Sequence, residues 1–327
     1  MRAALILLAI AGAAQAAPRL PREAFDVIPP SERVTGPRGD MRVVQSACRT
    51  GPTSWARRRI VDVAAQEWAF FGFQTADATV VETRALPDGI VPEALNPDLA
   101  QPRQGRTFLR LGRWESERGA DATIAGYWSA TPDGPDILRR QNRAWEDGEG
   151  EVNWIEPWSA AFVSWVMCEA GLGDMGQFQR DIAHRTYIDQ AIRARDGQAP
   201  EAAYAAHDIG ETEVEPGDLL CNARGSEAYR TIADRRPDMG EFAPTHCDIV
   251  VRVDAEAGRI AIIGGNVVNG VTLTLLPATR EGSGPLRPLI EADIIGGRRL
   301  FAHLKLRADP VEPNALDHSP TVRALSG

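Results

Sequence analysis

Residues Trp154-Ile155-Glu156-Pro157-Trp158-Ser159-Ala160-Ala161-Phe162-Val163-Ser164-Trp165-Val166 constrain this chain more than any other stretch, because they leave little choice but a loop running into a buried helix. Proline is tolerated just before or within a first helical turn, and Pro157 stands there. Phe162, Val163, Val166 and Ala170 then recur at helical spacing, and Gly171 supplies the stop. Ser159 is thereby placed at a helix N-terminus, where unbonded backbone N–H groups and the positive end of the helix dipole stabilise nearby negative charge. A serine in that position is ordinarily an N-cap. It can equally present a hydroxyl for chemistry, but near neutral pH that hydroxyl is a weak nucleophile and needs an adjacent base.

Helical patterns dominate the chain before this helix and strand patterns the chain after it. Residues 17–50, rich in Pro, Arg and Gly, read as an extended leader. Thr53 or Ser54 caps a helix predicted to reach Gln74, with Trp55, Ile60, Val61, Ala64, Trp68 and Phe71 at helical spacing. Pro87, Pro92, Pro97 and Pro102 interrupt any regular element between Leu86 and Gly105. Helices are predicted again over Ala120–Thr131, Pro135–Trp145 and Asp181–Arg195. After Pro216, β-rich runs at Gly217–Cys221, Cys247–Val253, Arg259–Ile263, Val271–Leu276 and Arg299–Leu306 alternate with turn residues. Helices first and an antiparallel sheet afterwards is the α+β order. The expected organisation is a mainly helical N-terminal extension over 17–150, a core domain over 151–307 and a flexible tail over 308–327.

Met1-Arg2, the apolar run Ala3 to Ala14 and the small residues of Ala14-Gln15-Ala16 read as a secretory signal spanning residues 1–16, with Ala17 as the mature N-terminus. The run is short for a membrane span, and no cysteine follows it to accept lipid, so a periplasmic or secreted protein without an integral membrane segment is expected. A net charge of −9 argues against nucleic acid or an anionic membrane surface as partner. Cys48, Cys168, Cys221 and Cys247 enter an oxidising compartment as an even set, open to three pairings. If the Gly217–Cys221 and Cys247–Val253 strands pair, Cys221 can face Cys247. Cys168 lies about half a turn round the helix from Ser159, so burial or pairing with Cys48 suits it.

The string Trp158-Ser159-Ala160-Ala161-Phe162-Val163-Ser164-Trp165 resembles the nucleophile helix of papain-like hydrolases of the NlpC and CHAP types, with serine where those enzymes carry cysteine. Glu215-Pro216-Gly217-Asp218-Leu219-Leu220 is similar to the strand that follows that helix. Thr245-His246-Cys247-Asp248-Ile249-Val250-Val251 resembles their histidine strand, and Ile262-Ile263-Gly264-Gly265-Asn266 the strand end that supplies the orienting residue. The wording is closer still to a bacterial group, the domain of unknown function 2272 family, whose name carries no activity. The resemblance implies a papain-like core, helices packed on a small antiparallel sheet, with Ser159 as nucleophile, His246 as base and Asn266 as orienter. It implies an amidase or peptidase acting on peptidoglycan, with peptidoglycan or muropeptides as partner. Serine in place of cysteine favours the alternative, an inactive wall-binding or scaffold protein of the same fold.

Each of these residues has a plainer reading. His246 can be an ordinary strand histidine, and Asn266 a turn residue at positive φ. Asp248 shares the strand face of His246, where it either assists or caps a ladder end. Cys247 points away from His246, which argues against a cysteine–histidine dyad and weakens a zinc site from Cys221, His246 and Cys247. His184 either borders the cleft or belongs to a polar helix face. Trp158 and Trp154 flank the expected cleft, where they can stack on sugar. Neither a cofactor nor a metal is implied.

Overall fold

The computed structural model describes residues 17–82, 106–117, 119–148, 153–223, 229–289 and 299–326. The expected signal segment and the Pro87–Pro102 arm lie outside the described residues. Strands β1 (Val34–Thr35) and β2 (Arg42–Val43) form a small antiparallel pair. The remaining strands are β3 (Thr75–Glu82), β4 (Arg106–Arg110), β5 (Tyr204–His207), β6 (Leu219–Ala223) and β7 (Thr245–Asp254), then β8 (Arg259–Val267), β9 (Gly270–Arg280), β10 (Leu286–Pro288) and β11 (Arg299–Leu306). They form one nine-stranded sheet in the order β4-β3-β9-β8-β7-β6-β11-β5, with β10 alongside β9.

The α+β class stands, but the small antiparallel sheet expected from the sequence is a large mixed one. The helix predicted to reach Gln74 ends at Phe70, and Gly72 (φ 77°) and Phe73 (φ 58°) turn the chain so that Thr75 pairs with Leu273 in parallel. Two strands from the N-terminal region therefore extend the sheet built by the C-terminal region. The expected division at 150/151 runs through this sheet and through one core, which gathers residues from Phe25 to Leu316.

Strand alternation sorts the side chains. Cys221, Cys247, Ile249, Val251, Ile263 and Leu273 join the core beneath the helices, whereas Leu220, Val250, Ile260, Ile262 and Leu276 form a second cluster. The helix Ser159–Glu169 is buried along its whole length. It lies so close to β8 that a Cβ on Gly265 would fall 2.5 Å from Phe162 Cβ.

The N-terminal segment is pinned to the far end of this helix. Cys48 pairs with Cys168, and Arg33 meets Glu169 at 2.6 Å with both side chains fully buried. A second disulfide joins Cys221 and Cys247, which are register partners on β6 and β7. The C-terminal segment is not the loose tail expected from its prolines. Ala315 and Leu316 are buried, Val253 N–H donates to the Pro313 carbonyl at 2.8 Å, and Arg58 pairs with Glu312. Prolines end regular elements without preventing the residues between them from packing.

Candidate functional site

Ser159 is the first residue of its helix, and the N-cap is Trp158, whose side chain makes no capping bond. The N-cap reading of Ser159 therefore falls. Its Oγ lies 2.7 Å from Nε2 of His184, and both residues are buried, at 6 % and 4 % exposure. His184 opens the helix His184–Arg195, after Ala183 in extended conformation. The histidine on Ser159 is thus His184, which the sequence placed only at the border of a cleft.

The other ring nitrogen of His184 decides what this contact can do. Nδ1 receives the backbone N–H of Cys247 at 3.2 Å and also contacts the hydroxyl of Tyr187, one turn along the same helix. The Tyr187 hydroxyl can donate or accept. The Cys247 N–H can only donate, so Nδ1 must keep its lone pair, and in the neutral ring the proton sits on Nε2. His184 then donates to Ser159 Oγ instead of accepting the serine proton. Burial, with the Asp248 charge adding to it, pushes the Tyr187 phenol well above its ordinary range, so the phenol stays protonated.

His246 lies beside this pair, its ring centroid 4.9 Å from that of His184. It is fully buried, and its Nε2 lies 2.8 Å from Asp248 Oδ1. The carboxylate accepts, which fixes the proton on Nε2 and leaves Nδ1 bare in the neutral ring; among the described residues Nδ1 has no hydrogen-bond partner. Asp248 can occupy this position because the neighbouring residue on β8 is Gly264, where a Cβ would fall 1.8 Å from Asp248 Oδ1.

Asn266 is not the orienter of either histidine. Among the described residues no hydrogen bond joins it to His184 or His246, and it takes φ 54° at the register break between Gly264 and Val267. The partner of His246 is Asp248, since period two sets both on one strand face. Beyond Asn266 the β8–β9 turn places Val268 (φ 52°) and Asn269 (φ 58°) in the left-handed region, strained for a β-branched valine. Buried Gln74 clamps this turn, donating to the Val267 and Val268 carbonyls at 2.9 and 3.2 Å.

Trp158 is not available to stack on sugar. It is fully buried between Phe71 and Tyr127, with ring centroids at 5.9 and 5.8 Å, and its indole N–H donates to Glu115 at 2.7 Å. Burial raises the Glu115 carboxyl above its ordinary value, and the indole bond pulls it back. Trp154 is half-buried, edge-on to Trp145. The disulfide at Cys247 removes that thiol from zinc or dyad chemistry. Among the described residues no group of three His, Cys, Asp or Glu side chains is placed to hold a metal.

The site is therefore Ser159, His184 and Tyr187 from two helices, with His246 and Asp248 from β7. The overlooked signal was the pair His184 and Tyr187, three residues apart and so on one helix face.

Residues 116–293, more than half of the chain, match a family model described as an uncharacterized protein conserved in bacteria (DUF2272). The chain belongs to the domain of unknown function 2272 family. The matched span of this family member holds all five site residues and also Asn266. No curated protein and no solved structure matches the chain. Among the described residues no helix is long and apolar enough to cross a membrane, and the two disulfides are compatible with a periplasmic or extracellular protein.

Proposed function

We propose that this is an exported protein that holds a peptidoglycan-type peptide at Ser159 without cutting it. The observation that carries this reading is the Cys247 N–H on His184 Nδ1, which puts the ring proton between Nε2 and Ser159 Oγ. A serine that accepts from its histidine has its own proton to give. Together with the first N–H groups of the helix, which have no intrahelical acceptor, that hydroxyl suits a carboxylate or an amide carbonyl, both of which muropeptides carry. The wall as ligand source rests on the compartment and on the likeness of the Ser159 and His246 segments to NlpC and CHAP hydrolases. In this reading the fold is a papain-like one that has kept its cleft and lost its thiol.

A second reading is favoured by one specific observation. Asp248 on Nε2 of His246 leaves the bare Nδ1 that a general base needs, so an amidase or peptidase with Ser159 as nucleophile would draw on His246 rather than His184.

The test is muropeptide binding and cleavage by the wild type, Ser159→Ala, Ser159→Cys and His246→Ala. Binding without cleavage by the wild type, weakened about fivefold in Ser159→Ala, is the expected result, the fivefold corresponding to one ordinary hydrogen bond. Cleavage gained only in Ser159→Cys fits the same reading, because a thiolate forms near neutral pH and a helix N-terminus lowers its pKa. Cleavage by the wild type that disappears in both Ser159→Ala and His246→Ala would replace it with the hydrolase.

A further inference from the structure

We propose a second binding site, for a single-chain carboxylate amphiphile such as a medium-chain fatty acid, in a groove that shares no residue with the Ser159 cluster. The groove, about 370 Å³, lies between the helix Ala56–Phe70, the β9 side of the sheet and the C-terminal segment. That volume lies within the range of small-molecule pockets, roughly 300–1,000 Å³. Its apolar walls are Trp68, Phe73, Leu273, Leu275 and Leu316.

The polar groups of the groove are almost all used within the protein. The Trp68 indole N–H donates to the Gln74 carbonyl at 2.8 Å, the Thr75 hydroxyl donates to the Phe73 carbonyl at 2.9 Å, and Arg252 is paired with Asp317 at 3.2 Å. A peptide or a sugar placed there would leave its own amides or hydroxyls without partners, whereas an alkyl chain has none to satisfy. Arg110 is the exception. Among the described residues its exposed guanidinium makes no hydrogen bond or ion pair, so a positive charge without a described partner stands at the edge of an apolar trough. A guanidinium fork matches a carboxylate in geometry as well as in charge.

The wall is also set in advance. Phe73 holds φ 58°, an outlier for a bulky residue, and this turn carries its ring edge-on to Trp68 with centroids 4.9 Å apart.

Decanoate and decanol, titrated calorimetrically into the full-length chain and three variants, test the site. Decanoate should bind one to one, about fivefold tighter than decanol, the most an exposed ion pair ordinarily gives. Arg110→Ala, an exposed substitution, should erase that difference. Phe73→Gly accepts the left-handed backbone without strain and should lose decanoate binding while thermal melting shows an intact fold. Leu316→Trp should fill the trough and also lose binding. Absence of decanoate binding would overturn the proposal, as would equal binding of decanol and decanoate by the wild type. Displacement of decanoate by muropeptide would show that the two sites are one and would equally overturn it.

Discussion

The position of one proton on His184 separates the two readings of Ser159, and Tyr187→Phe is the perturbation that exposes it. For His184 to act as base, its Nε2 must be bare and its proton must move to Nδ1. That proton would face the Cys247 N–H, 3.2 Å away in a buried site, and leave it without an acceptor. An unsatisfied buried donor costs about 1–3 kcal/mol, which lowers the base-competent tautomer about 5- to 150-fold relative to the other. The Tyr187 hydroxyl on Nδ1 can accept from an Nδ1–H and so offset part of this cost. Removing it in Tyr187→Phe should leave the proton on Nε2 and leave muropeptide binding unchanged. Nitrogen-15 imidazole spectra between pH 7 and 8 read the tautomer directly in both proteins. A wild-type proton on Nδ1 that shifts to Nε2 in Tyr187→Phe would refute the reasoning. It would make Tyr187 the orienter and His184 a working base.

Three further outcomes follow from the packing. Arg33→Ala removes the closer guanidinium partner of the fully buried Glu169 at the end of the Ser159 helix, leaving it Arg49 at 3.4 Å and the Ile28 N–H at 3.2 Å, and should cost about 1.5–3 kcal/mol in denaturant unfolding. Loss of the Cys48–Cys168 bridge, which spans 120 residues, should lower stability more than loss of Cys221–Cys247, which spans 26; loop-closure entropy gives about 5 against about 3.5 kcal/mol. Equal losses in calorimetry of the two double-serine variants would contradict this. Burial pushes the Asp62 carboxyl up to about 7, with Arg58, Arg59 and Arg323 pulling it back. A folded-state value above the ordinary 3.8 stabilises fully below about pH 4, and the effect is lost as pH rises through about 7. Asp62→Asn should therefore flatten that fall and gain about 1–3 kcal/mol at pH 8, a figure reduced for partial exposure; an unchanged pH–stability curve would remove Asp62 from the account.

The sequence by itself determined the elements whose identity is local. Apolar spacing after Pro157 placed the Ser159 helix, and alternation between turn residues placed β7, β8, β9 and β11 to within a few residues. Period two was enough to put Asp248 on the face of His246 and Cys247 on the other, so the Cys221–Cys247 pairing followed once β6 and β7 were adjacent. What the tertiary structure decided was partnership between elements distant along the chain. Thr75–Glu82 carries no signal that it will lie parallel to β9, because a parallel pair is specified by packing between distant residues rather than by a turn. Trp158 looked like a cleft residue and is a core one, since Phe71, just past the end of one helix, and Tyr127, within another, close over it. The histidine on Ser159 is the sharpest case. His246 sits in the more recognisable motif, yet the fold brings the N-terminus of the His184 helix to Ser159 and sets the Cys247 N–H on its far nitrogen. Motif similarity reports which residues are present, whereas the direction of a proton depends on donors that only three-dimensional packing brings within about 3 Å of it.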